Sequence, residues 1–290
     1  MIPAPFDYHV AETVPDAVAL LAQYGEDAKI LAGGQSLLPM LKLRLARVPH
    51  LIDISRIAGL EYVKEEDGFL KIGGGTREAT LERSDLIRSR YPILVDTAAV
   101  IADPLVRNRA TVGGNLAHGD PGNDHPATML ALGALVVAVG PRGERIIPVD
   151  NFFTGIFATA LNIDEVLVEV RIPIPEPRSG GAYVKLERKV GDYATAASAA
   201  QVSLGANGEI TRVGIGLTNL GPTPIKAVDA ERSLRGQVPD DAGITNASRL
   251  AAQATLPTAD RRGDIDYKQA MAQVLTARAL RKAIQRAQED

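Results

Sequence analysis

Lys29-Ile30-Leu31-Ala32-Gly33-Gly34-Gln35-Ser36 is a short apolar run stopped by paired glycines, with polar Gln35 and Ser36 directly behind them. Such a run reads as a strand entering a tight turn. Just upstream, Ala17, Leu20, Leu21 and Tyr24 fall at helical spacing, Pro15 suits a first turn, and Gly25 ends the helix. Helix, strand and glycine turn in succession predict a mixed α and β architecture, and the rest of the chain extends it.

A second glycine pair closes Arg107-Asn108-Arg109-Ala110-Thr111-Val112-Gly113-Gly114-Asn115. Glycine has no side chain to hold a ligand away, so successive backbone N–H groups can converge on phosphate oxygens. Two such loops can grip a diphosphate. Each can equally be a tight turn and nothing more, and the residues alone leave the two readings level. No G-x-G-x-x-G or Walker loop is present. Gly214-Ile215-Gly216-Leu217-Thr218-Asn219 comes near, but it closes a strand instead of opening a helix and reads as sheet packing.

Between the glycine pairs, His50 to Ile54 and Leu70 to Gly73 read as strands, while Thr76 to Leu86 and about Pro92 to Ile101 read as helices. Ala134 to Val139 and Arg145 to Pro148 flank the turn Gly140-Pro141-Arg142-Gly143 as a hairpin, and Glu165 to Ile172 is a further strand. Pro173-Ile174-Pro175-Glu176-Pro177-Arg178-Ser179-Gly180-Gly181 resists both helix and sheet and marks the domain boundary. Three strand-like runs follow, Ala182 to Arg188, Ala196 to Leu204 and Ile210 to Leu217, and then helices that end in an amphipathic one carrying Tyr267, Met271, Val274, Leu275 and Ala279.

With 46% hydrophobic and 23% charged residues the chain has a globular composition, and its 290 residues allow two or three subdomains. A net charge of −3 and the lack of basic and aromatic interleaving argue against nucleic acid as a partner. No membrane span is visible, and Met1 to Phe6 lack a secretory pattern, so a cytoplasmic location is expected, with association to the inner face of a membrane left open. Cysteine is absent, which places any iron–sulfur path on another chain.

Two further stretches carry chemistry-bearing side chains. His118-Gly119-Asp120-Pro121-Gly122-Asn123-Asp124-His125 fits no metal spacing. It reads instead as a turn leading to a helix cap at Asp124 or His125 before Pro126, with Asp124 free to accept a ligand hydroxyl. Lys185 to Thr195 runs from a strand into a charged loop, where Tyr193 after Gly191-Asp192 can offer a ring face to a planar cofactor.

Taken in order, Phe6-Asp7-Tyr8, both glycine-pair loops, Gly119 to Asp124, Val170-Arg171-Ile172-Pro173, Lys189 to Thr195 and Gly216-Leu217-Thr218-Asn219 resemble the flavoprotein medium subunit of the aerobic carbon monoxide dehydrogenase family, within the xanthine dehydrogenase superfamily of molybdenum hydroxylases. The resemblance spans nearly the whole chain. It implies an α+β fold: a two-subdomain FAD-binding region of the vanillyl-alcohol-oxidase type over 1–177, then a carboxy-terminal domain over 178–290 with a three-stranded antiparallel sheet and helices.

The resemblance also implies site residues. Ala32, Gly33, Gly34, Gln35 and Ser36, with Thr111, Gly113, Gly114 and Asn115, match loops that bind the FAD diphosphate. Asp124 matches a contact to the ribityl chain, Tyr193 a tyrosine beside the isoalloxazine, and Ile101, Leu167 and Lys185 positions near the cofactor. No catalytic residue and no metal ligand is implied on this chain. Its role would be that of an oxidoreductase subunit that relays electrons. Substrate is oxidised at molybdopterin on a large subunit, two iron–sulfur clusters on a small subunit carry electrons to the flavin, and an external acceptor takes them, in a dimer of heterotrimers.

Gln35 departs from the carbon monoxide enzyme's loop, which carries histidine there, and glutamine is familiar in relatives acting on other substrates. Carbon monoxide, N-heterocycles and aldehydes all fit the resemblance. Two other readings compete: a stand-alone FAD-dependent oxidase with its own substrate pocket, and an assembly or storage protein whose glycine loops are structural.

Overall fold

The computed structural model describes residues 2–290. Its first unit is β1 (Asp7–Val10), α1 (Val14–Tyr24), β2 (Ala28–Leu31), α2 (Leu37–Lys42) and β3 (His50–Asp53), with the strands in the order β1-β3-β2. All pairs are parallel, and His50 is in register with both Asp7 and Ala28. Parallel neighbours need a crossover, which α1 and α2 help supply. A reciprocal pair starts α1: Asp16 N–H donates to Thr13 Oγ1 and Thr13 N–H to the Asp16 carboxylate. The helix buries Ala17, Val18 and Leu21 in one cluster with Ile52 and Ile54.

The second unit opens with the hairpin β4 (Val63–Glu66) and β5 (Phe69–Gly73), turned on Asp67 and Gly68, both at positive φ. The helix expected over Thr76 to Leu86 is two helices, α3 (Glu78–Arg83) and α4 (Asp85–Arg90). Ser84 divides them because it is extended at φ −67 and ψ 122 and its hydroxyl accepts from Ile87 N–H, capping the second helix. Next come α5 (Pro92–Ala99), α6 (Pro104–Arg107), α7 (Val112–Ala117) and α8 (His125–Leu132). The hairpin β6 (Leu135–Gly140) and β7 (Gly143–Pro148), the short pair β8 (Phe153–Gly155) and β9 (Ala158–Thr159), and β10 (Val166–Pro173) complete the unit. β10 inserts between earlier strands, giving an antiparallel sheet in the order β4-β5-β10-β6-β7. Leu70, Ile72, Val136 and Val170 of the sheet share a core with Leu81, Ile93, Leu116 and Met129 of the helices.

Only 174–178 is irregular at the boundary, because β11 (Ser179–Glu187) already includes Gly180 and Gly181, which composition assigned to a linker. β12 (Ala194–Leu204) and β13 (Ile210–Thr218) make three long antiparallel strands with β11, and the two-residue β14 (Ile225–Lys226) extends them. α9 (Val228–Leu234), α10 (Asp241–Gln253) and α11 (Ile265–Glu289) follow. The glycines belong to the sheet because α11 lies on the strand backbone: a Cβ on Gly180 would sit 2.2 Å from Ala283 O. Alternation divides β12 between two cores. Ala196 and Ala200 join the α11 side, whereas Ala197 and Ala199 join the core of the second unit.

Gly214 and Gly216 face the other way. Cβ atoms there would lie 2.0 Å from Ala131 O and Ala127 O, so α8 rests directly on β13, the sheet packing expected from the sequence. Asp96 on α5 adds a polar tie to α11, accepting from Arg286 Nη1 at 2.7 Å and Lys282 Nζ at 3.0 Å. Among the described residues no helix is long and apolar enough to cross a membrane.

Candidate functional site

A cleft of ≈ 400 Å³ lies between the first two units, bounded by β2 and its glycine loop on one side and by α7 and the start of β10 on the other. Of the residues expected at a site, Ala32, Gly33, Gly34, Gln35, Ser36, Thr111, Gly113, Gly114, Asn115 and Leu167 all line it.

The two glycine loops are not equivalent. In the first, Gly34 turns at φ +74, and Gly33 runs so close to the second loop's approach that a Cβ would meet Arg109 O at 2.3 Å. Among the described residues the N–H groups of Gly33, Gly34, Gln35 and Ser36 donate to no protein acceptor. They are available to a ligand, as backbone nests around a positive-φ residue are.

The second loop is not a free turn. Thr111 caps α7, with Gly114 N–H donating to its hydroxyl at 3.2 Å. Val112 N–H donates to Thr76 O, Gly113 N–H to Gly74 O and Asn115 N–H to Thr111 O, so most of its donors are already used. A Cβ on Gly113 would be 2.5 Å from Gly74 O, so the glycine serves this close crossing. What this loop offers the cleft is the Asn115 side chain, whose buried Oδ1 has no hydrogen-bond partner. Leu167 stands at the bulge of β10, its carbonyl 2.5 Å from where a Gly74 Cβ would be.

The far wall escaped sequence reasoning. His118, whose imidazole pKa is pushed down by burial, lies with its ring tilted 52° to that of Phe157 at 5.1 Å, and Phe157 holds φ +55. Asn162 and Glu165 also line the cleft, Glu165 pairing with Arg145 at 2.6 Å. No spacing in the sequence joins this wall to the glycine loops. The positive φ at Phe157 is a feature of the backbone alone.

Ile101, Asp124, Lys185 and Tyr193 form a second cluster beside the cleft. Asp124 precedes α8 but does not cap it with its side chain. One carboxylate oxygen accepts from the Tyr183 hydroxyl at 2.6 Å and the other from Lys185 Nζ at 3.0 Å, so the carboxylate expected to be free is engaged at both oxygens. Each oxygen keeps acceptor capacity for a further donor. Burial drives the Asp124 pKa up against the opposing effect of Lys185. Lys185 also donates to Val100 O at 3.0 Å, fixing the end of the segment that presents Ile101. The Tyr193 ring is 47% exposed and lies against Gly122. Its phenol pKa is raised by burial and by the charge of Asp120, with the nearby Ser36 side chain acting against both. Ser36 belongs to the first loop, so this cluster and that loop are neighbours.

His125 turns away from His118 and pairs with Glu78 at 2.6 Å, both side chains fully buried. Among the described residues no group of three or more His, Asp or Glu side chains could hold a metal.

A dinucleotide with a diphosphate and a planar ring fits these residues. Free N–H donors and the Asn115 side chain line one cleft, and a half-exposed aromatic ring stands beside it.

Comparison with known proteins gives the family. Residues 4–175 match the family described as the FAD binding domain in molybdopterin dehydrogenase, and residues 181–283 match the CO dehydrogenase flavoprotein C-terminal domain. The chain is 46% identical to the carbon monoxide dehydrogenase medium chain of Hydrogenophaga pseudoflava, over 98% of each chain. It is 39% identical to the 6-hydroxypseudooxynicotine dehydrogenase complex subunit alpha of Paenarthrobacter nicotinovorans, covering 99% of this chain and 97% of that one. A solved structure of carbon monoxide dehydrogenase from Hydrogenophaga pseudoflava superposes with a TM-score of 0.96 at 47% identity, covering 99% of each chain.

Proposed function

This chain belongs to the FAD-binding medium subunits of the carbon monoxide and xanthine dehydrogenase family of molybdenum hydroxylases, and from that premise we propose which residues hold the flavin and how the subunit is placed in its complex. The observation that carries the site is the run of four uncommitted N–H groups, Gly33 to Ser36, facing the cleft opposite Asn115. Those donors take the diphosphate oxygens, and the Asn115 amide adds a side-chain contact. Asp124, held by Tyr183 and Lys185, offers its remaining acceptor capacity to a ribityl hydroxyl. Tyr193 and Ile101 flank the ring, and Leu167 closes the cleft behind it. When bound, FAD supplies the redox chemistry that the side chains lack. The protein's part is to bind, orient and shield it, and no general base is assigned to this chain.

The division into functional parts falls at 177/178, with the FAD-binding region before it and the C-terminal domain after it. The full complex is a dimer of heterotrimers with a small subunit carrying two iron–sulfur clusters and a large molybdopterin subunit, and this chain passes electrons from the clusters to an external acceptor in the cytoplasm. Substrate choice belongs to the large subunit, so the same relay serves carbon monoxide, N-heterocycle or aldehyde oxidation.

Purification of a tagged chain from its host, with the flavin spectrum, molybdenum, iron and subunit masses read together, tests this. FAD with both metals and two further subunits is expected. Flavin without metals or partners would point to a self-contained oxidase, and a complete complex without flavin would overturn the site.

A further inference from the structure

Two arginines outside the cleft converge on the segments that carry Ile101 and Tyr193. Arg107, 9% exposed, pairs with Glu82 at 2.9 Å and donates to Ile101 O at 3.2 Å, next to Ala102 at φ +46. Arg262, just ahead of α11, donates from Nη2 to Asp192 Oδ1 at 2.9 Å. The same carboxylate oxygen accepts the N–H of Tyr193 at 2.9 Å. Behind Arg262 the chain is anchored: Asp260 accepts from Arg262 N–H at 2.7 Å and from Lys268 Nζ at 2.8 Å, and Lys268 is 1% exposed. The two segments also touch, since a Cβ on Gly191 would lie 2.7 Å from Ala102 O.

We propose that Arg262 is a positioning residue for flavin function: its pair with Asp192 fixes the turn that sets the Tyr193 ring and, through Gly191 against Ala102, keeps Ile101 in step with it. The proposal rests on Tyr193 standing beside the flavin. The end of this loop is also tied at Ala194, whose carbonyl accepts from Asn219 Nδ2 at 2.6 Å, but that bond lies beyond Tyr193 and leaves the Asp192 turn to Arg262. Arg188, the other cation near Asp192, is 3.4 Å away on a largely exposed side chain. Arg262 Nε and Asp192 Oδ2 are both buried without hydrogen-bond partners, so the clasp is held by single bonds and its loss frees the turn.

The loop carries its own reporter in the adjacent bonds after Arg188 and Lys189, which trypsin cleaves. In the full chain, Arg262→Ala should speed cleavage there roughly tenfold by releasing the loop, with Arg262→Lys restoring part of the protection. In the assembled complex, Arg262→Ala should shift the flavin absorption spectrum and midpoint potential at unchanged iron and molybdenum content. It should add nothing further in a Tyr193→Ala background. Wild-type cleavage with an unmoved spectrum and potential would overturn the proposal, as would an equal shift with and without Tyr193. If Arg262→Ala does not fold, Asp192→Asn carries the same expectations. A wild-type complex without flavin would sink the site assignment, while the proteolysis still decides the clasp.

Discussion

Lys185 Nζ lies 3.0 Å from Asp124 Oδ2, with the two side chains only 2% and 8% exposed. Breaking such a pair from one side leaves a buried charge without its counter-ion. Lys185→Met should therefore destabilise the protein by about 3–5 kcal/mol, and Asp124→Asn in the same chain should recover much of the loss. Chemical denaturation of the wild type and the two variants measures both. A single variant as stable as the wild type would mean that the pair contributes nothing.

Gly33 and Arg109 cannot both stay in place if a side chain is added, because the Cβ would come within 2.3 Å of a carbonyl oxygen. Gly33→Ala should displace the first loop and lower FAD affinity by roughly tenfold or more, about 1.4 kcal/mol. The flavin-to-protein ratio and a titration of the assembled complex give the answer, and full retention would remove this loop from the diphosphate.

Asn115 separates a lost contact from a hostile charge. Asn115→Ala should weaken FAD binding about three- to tenfold, the worth of one hydrogen bond. Asn115→Asp should weaken it further, since a carboxylate would face the diphosphate. The reverse order in a binding titration would place Asn115 away from the phosphates.

Burial opposes a charged His125, but the charge of Glu78 and its hydrogen bond outweigh that, so the pKa is raised above 6.5. A raised folded-state pKa stabilises fully below the unfolded value and loses its effect as pH climbs through the folded one. The thermal midpoint should thus fall more steeply in the wild type than in His125→Gln as the pH is raised above the ordinary imidazole value. Parallel slopes would assign the decline to other groups.

Local requirements made part of this molecule legible in its sequence. The passage from β2 through Gly33-Gly34 showed because an apolar run ended on residues that tolerate close backbone approach and positive φ, and Gly214 and Gly216 showed as packing glycines because they close a strand. The start of α7 did not, since Thr111-Val112-Gly113-Gly114 has turn composition and becomes helical only when Gly113 crosses Gly74 and Thr111 caps it. Asp124 was noticed as a carboxylate, but its partners Tyr183 and Lys185 lie 59 and 61 residues away. Glu78 and His125, 47 residues apart, show no pairing signal at all. Long-range contacts of this kind depend on which segments the sheets bring together, and no local spacing records that.

The seating of α8 on β13 limits how the two halves can be recombined. The helix carbonyls of Ala127 and Ala131 come from before the boundary, and the bare backbone at Gly216 and Gly214 that receives them comes from after it. A chimera joining residues 1–177 of this chain to the C-terminal part of a relative inherits one half of a mould made for the other. Module exchange across this family would thus succeed or fail on whether the incoming part keeps two positions bare of even a methyl group.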